Sequence, residues 1–280
     1  MANSFTVSPM KQKISLKAGE TYEGSIMVAN PAAATSDFAF KTTISPYSVG
    51  PDGETMDFET KSDRTQIVNW TELDVTSGVL RPNEMKKITF VIRVPETAPA
   101  GGQYMSIGVM SDPNFYNQSG GVQETIEMCS LVLADVEGET THTGEILENR
   151  VPSFVPSGTP ETILVLNNKG NVHETAVTRI KIKNVITGEM VPVAGENNGE
   201  FETTVFPDAV RTVARKLDNL SPLGIYEVKQ DIEYIGQTSS ASSILLICPI
   251  WFIMLTISTV AAIIGVVIAK VVLKKKKAAI

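Results

Sequence analysis

Apolar and polar residues alternate in short runs along most of this chain. In SDFAFKTTISPYSV (36–49) the residues Phe38, Phe40, Thr42 and Ile44 fall on one face of an extended backbone. Short alternating runs also mark 5–9 and 13–18, and further strand runs fall at 20–30, 85–95, 103–110 and 124–136, and again at 162–168, 174–186, 200–206, 209–217 and 224–236, the last without strict alternation. Turn signals separate them: Asn30-Pro31, PDGE at 51–54, and the pair Gly101-Gly102. The segment 61–76 is less regular and reads as a short helix or turn. Many short strands between turns, with few helical stripes, predict β-sandwich architecture.

The alternation ends after residue 243. From Ile244 to Ala269 the chain runs 26 residues without a charge. A bilayer core needs about 20 apolar helical residues, so the pattern predicts one transmembrane helix over 244–273. Trp251 then sits at the outer interface and Lys270 snorkels to the inner one. Lys274, Lys275, Lys276 and Lys277 make a basic tail over 274–280, and the flank before the span carries no charge. Positive charge stays inside, which predicts a single-pass protein of the cell membrane, its N-terminal domains extracellular and its C-terminus cytoplasmic. Membrane lipid is then its first partner.

The remaining length suits two domains. The expected division is an N-terminal immunoglobulin-like sandwich over 1–137, an acidic and Pro-rich linker and domain start over 138–160, a second sandwich over 161–236, and a Ser-rich linker over 237–243. The fold class is therefore mainly β: two immunoglobulin-like β-sandwich domains followed by one C-terminal transmembrane helix. The start of the chain, MANSFTVSP, has no apolar core of a signal peptide. An extracellular reading thus expects a mature, processed chain.

Charge narrows the partners. Of 24 basic residues, five (Lys270 and Lys274 to Lys277) lie in or beyond the apolar run, and none of the 31 acidic ones does. The 19 basic residues before it face 31 acids, a net charge of −12, which argues against nucleic acid. The two cysteines, Cys129 in a strand run and Cys248 in the apolar run, form no disulfide framework.

Few residues carry chemistry. His142 lies in a polar linker and His173 in the turn NNKGNVHE, each read as a solvated histidine. No nucleophile elbow, zinc-ligand spacing or phosphate loop occurs, so no catalytic residue and no cofactor is expected. Asp135, Glu137, Glu139 and Glu145 cluster near the expected domain junction, where hard oxygen ligands suit Ca²⁺, although the spacing matches no calcium loop. PNFYNQSGG (113–121) reads as an exposed loop, and Phe115 and Tyr116 are its candidate partner-binding residues.

Several stretches carry a resemblance. FTVSPMKQKISLKAGETYEGSIMVAN and LRPNEMKKITFVIRVPETAPAGGQYMSIGV resemble the first domain of the WxL-associated cell-surface proteins of Gram-positive bacteria. NNKGNVHETAVTRIKIKN, VFPDAVRT and SPLGIYEVKQDIEYIG are similar to related membrane-anchored bacterial sandwich proteins. The resemblance implies a structural, adhesive or envelope-binding protein, with cell-wall polymer or a surface protein as partner. FAFKTTISPYSVGPDGE (38–54) also looks like the major-sperm-protein domain, which implies a tail-anchored, cytosolic-facing adaptor. A surface hydrolase is the third reading.

Overall fold

A computed structural model describes residues 5–112, 125–195 and 197–277, with side chains as far as 270. Its elements are almost all strands. The first half holds β1 (Thr6–Ser8), β2 (Lys11–Leu16), β3 (Thr21–Ala29), β4 (Phe38–Pro46), β5 (Ser48–Val49), β6 (Met56–Asp57), β7 (Thr71–Leu73), β8 (Ser77–Leu80), β9 (Met85–Arg93), β10 (Gly101–Ser111) and β11 (Glu127–Val136). One helical turn, α1 (Ile67–Trp70), precedes β7 and resolves the irregular segment 61–76.

These strands form a sandwich of a four-stranded sheet, β1-β3-β9-β7, and a five-stranded sheet, β2-β11-β10-β4-β8. Alternation fills its core from both sheets: Ile26, Val28, Ile88, Phe90 and Ile92 meet Phe38, Phe40, Met105, Ile107 and Val132, each at most 1% exposed. The first strand changes sheets. β1 pairs with β3, and past Pro9 and Met10 the chain continues as β2, parallel to β11 from Leu131 to Val136.

The second half holds β12 (Gly144–Arg150), β13 (Phe154–Val155), β14 (Glu161–Asn168), β15 (Glu174–Asn184), β16 (Met190–Val191), β17 (Glu200–Val205), β18 (Val210–Lys216), β19 (Gly224–Tyr234) and β20 (Gln237–Ile247). Its sheets are β12-β14-β18 and β13-β20-β19-β15-β16, with β17 also on β15. Ile180, Ile182, Val228, Leu245 and Ile247 are core here. The chain thus contains two immunoglobulin-like sandwiches and ends in one apolar helix, α2 (Ile250–Lys277).

The compact units depart from the expected division. The first comprises residues 1–145 with 166–175 and 204–211; the second comprises 146–165, 176–203 and 212–280. The two short segments belong to the first unit through specific bonds. Arg64 donates to the Asn171 carbonyl at 2.9 Å and to Asp208 at 2.8 Å. Gly102 N–H donates to Asn171 and Val210 N–H to Pro51. Phe206 and Ala209 close a small apolar cluster with Tyr47, Tyr104 and Leu133.

The expected linker, 237–243, is instead the first part of β20, which pairs with β19 residue for residue from Tyr234↔Gln237 to Gly224↔Ile247. Ile244 to Ile247 belong to that strand, so the apolar helix begins at Ile250 and not at 244. By length and composition, residues 250–270 suffice to cross a membrane, and they are unburied.

Candidate binding edge and a buried polar cluster

The hairpin β19–β20 turns on Ile235 and Gly236, both with positive φ (47° and 69°). That is the backbone of a two-residue primed turn, whose twist matches its strands. From it β20 runs eleven residues, but only its far end has a second neighbour. β13 pairs with it at Leu246 and Ile247 alone, parallel. The parity of its backbone groups follows from two bonds: Leu246 N–H donates outward to Ser153 and Cys248 N–H to Val155. In an antiparallel strand the direction alternates, so the N–H groups of Thr238, Ser240, Ser242 and Ile244 point outward too. Those of Ser239, Ala241 and Ser243 point to β19. Among the described residues no strand lies beside 238–245, which leaves an open edge of about 26 Å.

Its side chains set this edge apart. Exposed edges are ordinarily blunted by charge, proline or bulges against pairing with other chains. The other edge strands of six residues or more follow that rule: β2 carries Lys11 and Lys13, β12 carries Glu145, Glu148 and Arg150, β17 carries Glu200 and Glu202, and β18 carries Arg211, Arg215 and Lys216. β20 has no charge or proline, and its pairing with β19 has no bulge. Thr238, Ser240, Ser242 and Ile244 are exposed, while Ser239, Ala241 and Ser243 are half-buried on the inner face. There Asn149 of β12 donates to Ser239 Oγ at 3.1 Å and accepts from the buried Gln230 at 2.9 Å.

A second feature lies in the first unit. Tyr104 is 2% exposed, and its hydroxyl has no hydrogen-bond partner. The hydroxyl lies against Gly102, where a Cβ would stand 1.9 Å from it. The His173 ring meets Tyr104 edge-on at 5.7 Å, and its Nδ1 is also buried without a partner, as is Asp135 Oδ1. Burial pushes the Tyr104 hydroxyl up, against the pull of Arg64. It pushes the Asp135 carboxyl up as well, while nearby His142 draws it down. Burial, then Lys13 and Lys11, hold His173 down at about 4, so the ring is neutral near pH 7.

His142 is exposed, as expected, but His173 is not the solvated turn residue expected. His173 is half-buried, with its Nδ1 out of solvent, because segment 166–175 packs within the first unit, and His142 bonds Glu174 at 2.6 Å. No pattern in NNKGNVHE carries that tertiary burial.

The other candidate residues do not converge. Glu137 pairs with Lys17 at 3.7 Å and Glu145 with Lys169 at 2.6 Å. The Glu139 carbonyl accepts from Asn171. Among the described residues no three His, Cys, Asp or Glu side chains form a metal-binding group, so Asp135, Glu137, Glu139 and Glu145 are not drawn into one. Phe115 and Tyr116 lie outside the described residues. Trp251 and Lys270 are exposed on α2, whose backbone extends through Lys274, Lys275, Lys276 and Lys277. Sequence reasoning missed β20 entirely as a site. Its one signal was the uncharged polar run QTSSASS, taken there for a linker.

No protein-family model and no curated protein matches the chain. Solved structures do. The class 5 fimbriae chaperone CfaA is 12% identical, with a TM-score of 0.41, covering 87% of this chain and 99% of its own. The periplasmic chaperone SfaE is 11% identical at a TM-score of 0.39, covering 86% and 100%. The CsuC–CsuE chaperone–tip adhesion subunit pre-assembly complex of Acinetobacter baumannii contains a match 12% identical at 0.40, covering 86% and 98%. At these values the likeness is one of fold.

These findings correct the family and functional reading of the sequence. The neighbours are fimbrial chaperones and not WxL-associated surface proteins. The quoted resemblance consisted of turn residues and alternating apolar positions, which specify sandwiches in general and no family among them. The membrane-anchored adhesive protein and the tail-anchored adaptor are therefore both set aside. Membrane lipid and cell-wall polymer are withdrawn as partners with them; the complexes among the similar structures are of chaperone with tip adhesin. The single-pass cell-membrane location is withdrawn as well: one of the similar structures is a periplasmic chaperone, and a single apolar helix does not by itself establish a membrane anchor.

Proposed function

We propose that this chain is a non-catalytic binding protein that takes an extended segment of another protein along the open edge of β20. One observation carries the reading: this edge is long, uncharged and unpaired, in a chain whose other long edges are charged. Strand addition supplies affinity through backbone hydrogen bonds and specificity through alternate side chains. Four outward N–H groups and their carbonyls provide the first of these. A catalytic role has no comparable support: the Tyr104 hydroxyl, Asp135 Oδ1 and His173 Nδ1 are all buried without a hydrogen-bond partner. The similar structures include chaperone–adhesin complexes. The proposal itself rests on the edge.

The test is an array of immobilised synthetic nine-residue peptides probed with the full chain, kept dispersed in mild detergent, and with its Ser242→Pro variant. Proline at 242 deletes an outward N–H and leaves the β19 ladder intact. The wild-type chain is expected to retain a subset of peptides and the variant to lose them by at least tenfold. Equal retention by both would overturn the reading.

A further inference from the structure

The two sandwiches of this chain share a construction that one of them leaves unfinished. In each, the first strand starts in one sheet and crosses to the other, where it pairs parallel to the sandwich's last strand. In the first sandwich the crossed strand β2 covers six residues of β11. In the second, β13 covers two residues of β20. Continuing the construction towards the β20 N-terminus would fill the slot along 238–245.

The inner wall of that slot also lacks a cover. Asn149 of β12 turns its side chain to Ser239 and Gln230. Leu147, two residues earlier and so on the same face of β12, is 51% exposed. Ser239, Ala241 and Ser243 present only small side chains along the slot, and they are half-buried. An apolar side chain on the inner face of a sandwich with nothing above it is what remains when a neighbouring strand is missing.

The geometry points to a specific occupant, on the reading that the β20 edge binds a strand: a partner segment running parallel to β20, uncharged, with apolar residues at alternate positions on the inner face, from Leu147 at the start of the slot to Ala241 and Ser243 along it. The chain itself supplies the precedent. β2, which covers the C-terminal part of β11 as a parallel edge strand, turns Gln12, Ile14 and Leu16 inward, an amide followed by two apolar residues. Its amide meets polar atoms, bonding Ser25 and Ser130. The second slot likewise offers polar atoms first, the Asn149–Gln230–Ser239 group, then Ala241 and Ser243, then the buried Leu245. The strand direction follows from β2 and β13, which both run parallel to the strand they cover.

The probe is a nine-residue synthetic peptide in which Gln, Ile and Leu alternate with Thr, beside a shuffled peptide of the same composition. Both are titrated against the full chain, followed by backbone amide NMR, with a spin label at either peptide end. The alternating peptide is expected to bind at least tenfold more tightly than the shuffled one. Its N-terminal label should broaden the amides near Gln237 and its C-terminal label those near Leu245. Leu147→Ser should weaken binding about fivefold or more without lowering the melting temperature, since Leu147 is exposed. Binding at β20 with the labels reversed would overturn the parallel occupant and leave the edge reading intact. Equal binding of the shuffled peptide, or an unaffected Leu147→Ser variant, would overturn the alternating apolar class. Shifts confined to residues remote from β20 would overturn both this inference and the edge reading.

Discussion

The alternation of backbone direction along β20 makes two adjacent serines behave differently toward proline. Ser243 pairs with Val228, and its N–H points to β19. Ser243→Pro removes that donor and leaves a carbonyl without its partner beside Val228, a residue with no exposed surface. An orphaned buried acceptor costs about 1–3 kcal/mol, before any clash of the ring with the ladder. Ser242 directs its N–H into solvent, and proline there costs less than about 1 kcal/mol, because only φ is constrained. For a sandwich of this size 1 kcal/mol corresponds to roughly 4–8 °C in Tm. Thermal melts by circular dichroism should therefore place Ser243→Pro at least several degrees below Ser242→Pro, which should stay near wild type. Equal losses, or the reverse order, would show that the outward parity of 238, 240, 242 and 244 is misassigned, and the open edge would lose its donors.

Three other expectations concern the frame around that edge. Ile235 holds φ at +47°, where a β-branched residue is strained; Ile235→Asn, which suits a primed turn before glycine, should stabilise by about 1 kcal/mol in a denaturant titration. His173 is held at about 4, below its usual 6.5, so the folded chain binds fewer protons than the unfolded one between those values. The stability it contributes is whole above pH 6.5 and is lost as pH falls through 4, on the order of 3 kcal/mol; His173→Phe should flatten that part of a stability-against-pH curve. Gly24 faces the Phe90 ring so closely that an added Cβ would stand 2.2 Å from it; Gly24→Ala should cost about 1–3 kcal/mol by chemical denaturation, and Phe90→Leu in the same chain should recover part of it.

Much of the fold was legible because its signals are local. The alternation of Phe38, Phe40 and Ile44 placed β4, and EFETTVF and AVRTVARKL marked β17 and β18 to within a residue or two. β20 was not legible, and the reasons are physical. QTSSASS has the composition of a linker, and its strand character comes from pairing with β19 rather than from its own propensities. The turn before it reads Ile-Gly and not the Asn-Gly or Asp-Gly that signals a tight hairpin. The polar cluster was hidden for another reason. Tyr104 and His173 are 69 positions apart, and only the packing of segment 166–175 in the first unit brings them together. The family assignment failed because turn and apolar positions are common property of sandwiches.

The open edge itself can be read one amide at a time. Hydrogen exchange followed by NMR on the full chain, alone and with the alternating peptide in excess, separates the two backbone directions of β20. The account predicts fast exchange at Thr238, Ser240, Ser242 and Ile244 and protection at Ser239, Ala241 and Ser243 in the free chain. The four fast amides should then slow by at least tenfold when the peptide is added. Protection of those four in the free chain, or exchange that the peptide leaves unchanged, would contradict it.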